Sequence, residues 1–204
     1  MLKRAFDFVI ALGGLIAFAP IFAIVAAFIK CDSRGPVFYA GDRIGQHGRP
    51  FKILKFRSMA VGADCQGPPI THRDDPRITR VGAFLRRTKL DELPQLWNVL
   101  KGEMSLVGPR PETPSYVALY TPEQRQVLTV RPGMSGLPQL SYRDEEKHLS
   151  PDSWERDYVS VLMPQKLALD LEYVRKRSFA LDVQIMARTV WLLVRDRLSH
   201  RQVR

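Results

Sequence analysis

Two carboxylates stand side by side, Asp91 and Glu92, in a chain with 31 Lys and Arg against 21 Asp and Glu. They open the segment KLDELPQLWNVLKGEMSLVGPRP, Lys89 to Pro111, which closes on a proline-stiffened Gly-Pro-Arg-Pro turn. Acids at this spacing have two readings. One is helix capping, where an Asp at the N-cap contributes about 1 kcal/mol and a Glu in the first turn complements the dipole. The other is chemistry. A helix start attracts phosphate, and neighbours on a helix diverge by about 100°, so one carboxylate can face a substrate while the other holds a metal, a proton or a cation. Arg86 and Arg87 lie just upstream and Arg110 sits in the closing turn. The planar fork of arginine suits bidentate phosphate binding.

The elements that must position these groups follow from periodicity. Leu90, Leu93, Trp97 and Leu100 fall at helical spacing, and Pro94 is tolerated in a first turn, so a helix is expected from near Asp91 to Lys101. Pro36 to Met59 reads as two strands around a turn at Gly45 to Gly48. A loop is expected from Ala60 to Asp75, a short helix from Val81 to Lys89, and Gly/Pro-rich loops over 107–114 and 130–138. A helix is expected over Pro122 to Leu128. Two further helices follow, Pro164 to Arg177 and Ser178 to Leu198, with Ser178 as the N-cap of the second. The last one sets Leu181, Ile185, Val190, Leu193 and Val194 among arginines.

With 204 residues and 45% hydrophobic content the chain can bury a core as an ordinary folded protein. Its net charge of 31 − 21 = +10 favours a polyanionic partner: nucleic acid, an anionic membrane or a phosphorylated substrate. Cys31 and Cys65 form neither a disulfide framework nor a zinc motif.

The N-terminus departs from a soluble pattern. Phe8 to Ile29 holds 22 residues without a charge, enough as a straight helix to cross a ~30 Å hydrocarbon core. Three readings compete: a cleaved signal peptide, a spanning helix, and a helix that enters the membrane and turns back. Against the first, the apolar run continues past Pro20. For the third, Pro20 removes a backbone donor and opposes the carbonyl of Ile16, at ~3 kcal/mol in a straight helix. Gly13 and Gly14 loosen the first half. Lys3 and Arg4 precede the run while Lys30 and Arg34 follow it, which satisfies the positive-inside tendency only if both ends lie on one side. These residues alone leave the second and third readings balanced.

FDFVIALGGLIAFAP, ILKFRSM, RVGAFLRRTKLDELPQLWNVLKGEMSLVGPRPE and RPGMSG together resemble the bacterial sugar transferase family, the small monotopic phosphoglycosyl transferases. The resemblance runs from Lys3 to about Arg195. It implies an α+β, mostly helical protein of the bacterial inner membrane, on the cytoplasmic face. A re-entrant helix broken at Pro20 (residues 1–34) would anchor a catalytic domain (residues 35–204) with a small β-hairpin and amphipathic interfacial helices. The implied roles are Asp91 as nucleophile, Glu92 beside it, Arg110 as phosphate ligand, and Lys55 and Arg86 as supporting cations. Two departures stand out. Ala19 precedes Pro20 where many members carry serine, whose hydroxyl can bond a freed carbonyl. GLPQLSYRDEE differs from the GWAQ-type sequence of the family, which blurs sugar specificity.

The implied reaction moves a sugar 1-phosphate from a UDP-sugar to polyprenyl phosphate through a phosphosugar–aspartyl intermediate, releasing UMP. Several phosphate charges beside a carboxylate call for a divalent cation, Mg²⁺, held by Asp91, Glu92 or both together with the substrate phosphates. Anionic headgroups are the further expected partner, met by the basic helix near Arg188 to Arg197. A membrane-tethered nucleic-acid binder would share the charge but leaves the Asp-Glu pair and the Gly-Pro-Arg-Pro turn unexplained, and no aromatic-basic RNA motif is present. Transfer within a direct ternary complex, with no covalent intermediate, is the nearer rival.

Overall fold

The structure, a computed structural model, describes residues 2–63, 75–142 and 153–199. It opens with helix α1, Leu2–Asp32. One stripe of α1 is buried, at Asp7, Ala11, Val25 and Ile29. The opposite face exposes Phe8, Leu12, Ile16, Phe18, Ile24 and Phe28. An apolar surface of this extent in a folded chain marks contact with a membrane or a partner. An 18-residue window of α1 has a mean hydropathy of 2.6 and is 11% buried, so α1 is long and apolar enough to cross a membrane and is not a core helix.

The expected break at Pro20 does not take the form of a non-helical segment. Helix α1 continues through the proline, because the lost bond is one of many and the flanking turns are apolar and helix-compatible. What does change is packing. Ile16 to Pro20 are all exposed. Before them, Phe6, Ala11 and Leu15 join a core cluster with Leu96, Val99 and Leu106. After them, Ile21, Phe22, Val25 and Ile29 join a separate cluster with Phe56 and Leu85. The two halves of α1 therefore rest on the same body at two places, with Pro20 in the gap.

Strands β1, Phe38–Ile44, and β2, Pro50–Phe56, form the expected antiparallel hairpin, with Tyr39 opposite Lys55. His47 and Gly48 turn the chain with positive φ. Helix α2, Arg80–Thr88, is capped by Thr79, whose Oγ1 accepts from the Gly82 amide at 3.0 Å. A 3₁₀ turn, Leu90–Glu92, precedes α3, Gln95–Lys101, which Gly102 ends in the left-handed region. The single helix expected from Asp91 is thus a 3₁₀ turn and a shorter α-helix, since Pro94 offers no amide for the turn before it.

Strand β3, Ser105–Val107, pairs in parallel with β4, Gly133–Ser135; β4 lies inside a stretch read from sequence as a loop, and β3 ends where the other such stretch begins, at Val107. Their Gly/Pro content has a steric reason. A Cβ on Gly133 would stand 2.1 Å from the Gly108 amide nitrogen, so the two backbones meet only as glycines. Helices α4, Pro114–Ala118, and α5, Leu137–Ser141, are short. The stretch expected as a helix from Pro122 is a 3₁₀ turn, Gln124–Thr129. Helix α6, Trp154–Asp157, passes through a π turn, Tyr158–Leu162, into α7, Met163–Lys176. Helix α8, Phe179–Ser199, starts as expected, with Ser178 Oγ accepting from the Leu181 amide at 3.2 Å. Ile185 is buried, while Val190 and Val194 face outward with Trp191, and Arg195 lies 4.8 Å over the Trp191 ring. Cys65, residues 64–74 of the expected loop, and the RDEE stretch at 143–146 fall outside the described residues.

Candidate active site

The sequence-predicted residues converge. Arg110 grips Glu92 with both prongs of its guanidinium, at 2.7 and 3.5 Å, and Lys55 Nζ donates to the same carboxylate at 3.1 Å. Asp91 is 6% exposed, and its Oδ1 is buried with no hydrogen-bond partner. Both acids lie in the first turn of the 3₁₀ segment, but neither makes a side-chain capping bond to it or to α3.

Each group is placed by a specific local device. Lys55 sits near the end of β2, which the Asn98 carboxamide clamps to α3. Asn98 Oδ1 accepts from the Leu54 amide at 2.9 Å, and Nδ2 donates to Lys52 O at 2.8 Å and Glu103 Oε2 at 2.7 Å. Arg86 is fixed by its Nε donating to Ser58 Oγ at 2.9 Å. That contact depends on α2 lying directly on Ser58, where a Cβ at Gly82 would meet the Ser58 carbonyl at 1.9 Å. Between α2 and the 3₁₀ turn, Lys89 takes a left-handed conformation, φ 58°, that turns the chain sharply into Asp91. Such a conformation costs a non-glycine residue about 1 kcal/mol or more, and it is held here by two bonds from its amide to the carbonyls of Leu85 and Arg86.

The two carboxyls are driven apart electrostatically. Burial pushes the Asp91 carboxyl above the ordinary carboxylate range, against the pull of Lys55 and Arg86. Burial acts the same way on Glu92, but Arg110 and Lys55 together outweigh it and hold Glu92 well below its ordinary range. Burial also lowers the Lys55 ammonium, with Glu92 opposing. Adjacent acids in such different surroundings have different tasks. Glu92 is a permanent counter-ion that ties Arg110 and Lys55 together. Asp91 is the more basic carboxylate, with an oxygen the protein leaves unsatisfied.

Sequence reasoning missed the supports: Asn98, Ser58, Lys89, and a polar group behind Arg110. There the Tyr158 hydroxyl donates to Glu112, Lys166 Nζ stands 3.4 Å from Tyr158 Oη, and Asp170 is 4% exposed with an unpartnered Oδ1. All of these depend on tertiary placement, and the π turn that aims Tyr158 has no sequence signature. A cavity of about 400 Å³ lined by Tyr116, Leu119 and Glu155 contains none of the predicted residues, whereas a smaller one is lined by Pro109, Arg110 and Glu112.

Burial raises the Asp170 carboxyl to about 8, with Lys166 opposing. The unfolded chain releases this proton near pH 4, so between pH 4 and 8 the folded state holds more protons and loses stability as pH rises. Asp170→Asn removes that titration. Its Tm advantage over the parent chain is expected to be small at pH 4.5 and to widen up to pH 8.5. A gap that stays constant or narrows with pH contradicts the assignment.

A buried, partly unsatisfied carboxylate with Lys55 and Arg86 near it thus lies on a body that carries a helix long and apolar enough to cross a membrane. The chain belongs to the bacterial sugar transferase family, whose model matches residues 1–196. It is 42% identical over 197 residues to the exopolysaccharide production protein PSS of Rhizobium leguminosarum bv. phaseoli, covering 93% of this chain and 94% of that one. It is 41% identical over 195 residues to the undecaprenyl-phosphate glucose phosphotransferase of Komagataeibacter xylinus, covering 92% of this chain. It is 38% identical over 199 residues to the UDP-glucose:undecaprenyl-phosphate glucose-1-phosphate transferase of Escherichia coli (strain K12), covering 94% of this chain. The chain spans only 35% and 40% of the lengths of these last two relatives.

Proposed function

We infer that the protein transfers a sugar 1-phosphate from a UDP-sugar to undecaprenyl phosphate, with Asp91 as nucleophile. The observation that carries this reading is the contrast within the pair: Glu92 is held by Arg110 and Lys55, while Asp91 keeps a buried oxygen without a partner. Attack on phosphorus needs a carboxylate oxygen that no hydrogen bond or ion pair occupies; Asp91 Oδ1 meets that condition, whereas Glu92 is engaged by Arg110 and Lys55. In the first step an Asp91 oxygen bonds the β-phosphorus of the donor. The bond to the bridging oxygen breaks, and UMP leaves with the electron pair. In the second step a phosphate oxygen of the lipid acceptor attacks the same phosphorus and frees Asp91. Arg110, Lys55 and Arg86 surround the place where charge builds up, and preorganised donors of this kind supply much of a phosphoryl transferase's rate.

The donor set fits Mg²⁺ only in part. Among the described residues no three metal-ligating side chains come together. Asp91 can offer an oxygen, whereas Glu92 is engaged by two cations. A cation shared between Asp91 and the donor diphosphate suits this arrangement, since Mg²⁺ is often held by one carboxylate plus substrate phosphates. When bound, it would screen the negative charge between nucleophile and phosphate.

The structure of α1 supports a re-entrant, monotopic placement on the cytoplasmic side. Lys3 and Arg4 at its start bond to the folded body, and Asp32 at its end accepts from the Val81 amide at 3.1 Å. Both ends are bonded to the same folded body, which supports their lying on one side, and the outward Val190, Trp191 and Val194 of α8 would offer a second lipid contact. A cysteine at position 2, in a Cys31→Ala, Cys65→Ala background, is expected to resist an impermeant thiol reagent in intact cells and to react after the inner membrane is opened. Labelling in intact cells would establish a spanning helix.

The function itself is tested by incubating the protein with undecaprenyl phosphate, Mg²⁺ and a panel of UDP-sugars. UMP is the expected product with at least one sugar. Release of UDP would indicate transfer of the sugar without its phosphate, and no release from any donor would remove the reading.

A further inference from the structure

The first two turns of α1 hold the two arms of the active site from their far ends. Arg4 Nη1 and Nη2 donate to the carbonyls of Val99 and Leu100 in the last turn of α3, at 2.5 and 2.8 Å. The chain that enters α3 carries Asp91 and Glu92 only a few residues before its start. Asp7, 2% exposed, accepts from Ser105 Oγ at 2.8 Å and from the Leu106 amide at 3.2 Å, both in β3. Lys3 Nζ donates to the carbonyl of Val107, the last residue of β3, at 3.0 Å, and to Asp182 Oδ2 at 2.6 Å. Tyr173 donates to the other oxygen of Asp182 at 2.6 Å. Three residues after Val107 comes Arg110, which meets Glu92 at 2.7 Å. A frame therefore closes: α1 to α3 to Glu92, Glu92 to Arg110, and Arg110 through β3 back to α1.

A tether has no use for this arrangement. A carboxyl group buried against an apolar helix is costly unless its oxygens are answered by donors. Among the described residues Asp7 is answered by two groups of β3, immediately before the Gly108–Pro109–Arg110 turn. That turn is itself wedged backbone to backbone, with the Gly133 amide donating to Pro109 O at 2.8 Å and the Gly108 amide to Ser135 O at 2.9 Å. With so little play downstream, a shift of β3 passes directly to Arg110.

We propose that Asp7 and Arg4 are positioning residues for the Glu92–Arg110 contact, so that the membrane helix is part of the active-site frame as well as its anchor. This rests on the function inferred above for that site. Asp7→Asn removes the charge and exchanges one accepting oxygen for a donor, so the Ser105 bond persists only if that hydroxyl reverses to accept. The donor half-reaction, UMP release in detergent micelles without lipid acceptor, requires no anchoring. It is expected to slow by about 10-fold or more, since displacements of about 1 Å at a reacting site cost up to 10²-fold. Flotation with lipid vesicles is expected to be unchanged.

A residue acting through Arg110 must also lose its effect when Arg110 is already compromised. In an Arg110→Lys background the added loss from Asp7→Asn is expected to be less than 3-fold. Full additivity would assign Asp7 to general stability and overturn the proposal. If Asp7→Asn does not fold, Ser105→Ala removes one of the same bonds and is judged by the same criterion. Hydrogen exchange gives a readout independent of turnover. Peptides covering residues 105–112 are expected to exchange faster in the variant while those of α7 do not change. Unchanged exchange at 105–112 sinks the proposal even if no donor sugar has been found. A silent parent enzyme with faster exchange would instead count against the inferred function.

Discussion

Asp91→Asn is expected to abolish turnover, with a loss of roughly 10³-fold or more of the kind seen when a nucleophile is removed. The amide has the shape of the carboxylate but cannot attack phosphorus. The substitution should leave the fold intact. Asp91 makes no capping bond, and the protein leaves its Oδ1 without a partner. A neutral group at this buried position escapes the desolvation that raises the Asp91 carboxyl, so the variant is expected to melt at or above the parent's temperature. The combination is diagnostic, because an acid kept for stability would lose Tm and retain activity. Near-normal UMP release from a folded Asp91→Asn protein would remove Asp91 from the chemistry.

Arg110→Lys is expected to lower kcat/KM by about 10²-fold, far more than a swap of like charges on a surface. Arg110 places two N–H groups of one planar fork on Glu92, at 2.7 and 3.5 Å. A lysine can keep the ion pair or reach a phosphate, but it cannot do both with fixed geometry. Lys55 already approaches the same carboxylate oxygen, Glu92 Oε1, at 3.1 Å, so a second ammonium would compete for it. The donor KM is expected to rise along with the fall in kcat. Unchanged kcat/KM would show that charge alone suffices at this position.

Much of the site was legible because its chemistry is carried by residue types in short stretches. The Asp91–Glu92 pair, Arg86 and Arg110 in its stiff turn could be named from local sequence, Lys55 followed from the family resemblance, and the fold brings Lys55, Glu92 and Arg110 into direct contact. The hairpin, α2, α7 and α8 with its Ser178 cap were legible for the same reason: their signals lie within the element. The three-residue β3–β4 pair was not, because parallel strands that short have no periodicity and exist only through the Gly108–Gly133 approach. Lys3 and Arg4 read as a charge flank for a membrane helix. Their partners lie about a hundred residues or more away, at Val99, Leu100, Val107 and Asp182, where no local pattern points. Asp7 was passed over for the same reason. Pro20 was read by its local cost to a straight helix, and the turns around it keep their helical form.

The claim at the centre of this account is a covalent step on Asp91. The measurement that tests it most directly is the intact mass of the protein after a brief incubation with Mg²⁺ and its UDP-sugar, in the absence of lipid acceptor. The account predicts a species heavier by one sugar phosphate less one water, formed together with UMP and located at Asp91 by peptide mapping. Adding undecaprenyl phosphate should discharge it, and Asp91→Asn should never form it. Full turnover with no such species at any time, and kinetics that require both substrates bound at once, would contradict the account and establish direct transfer.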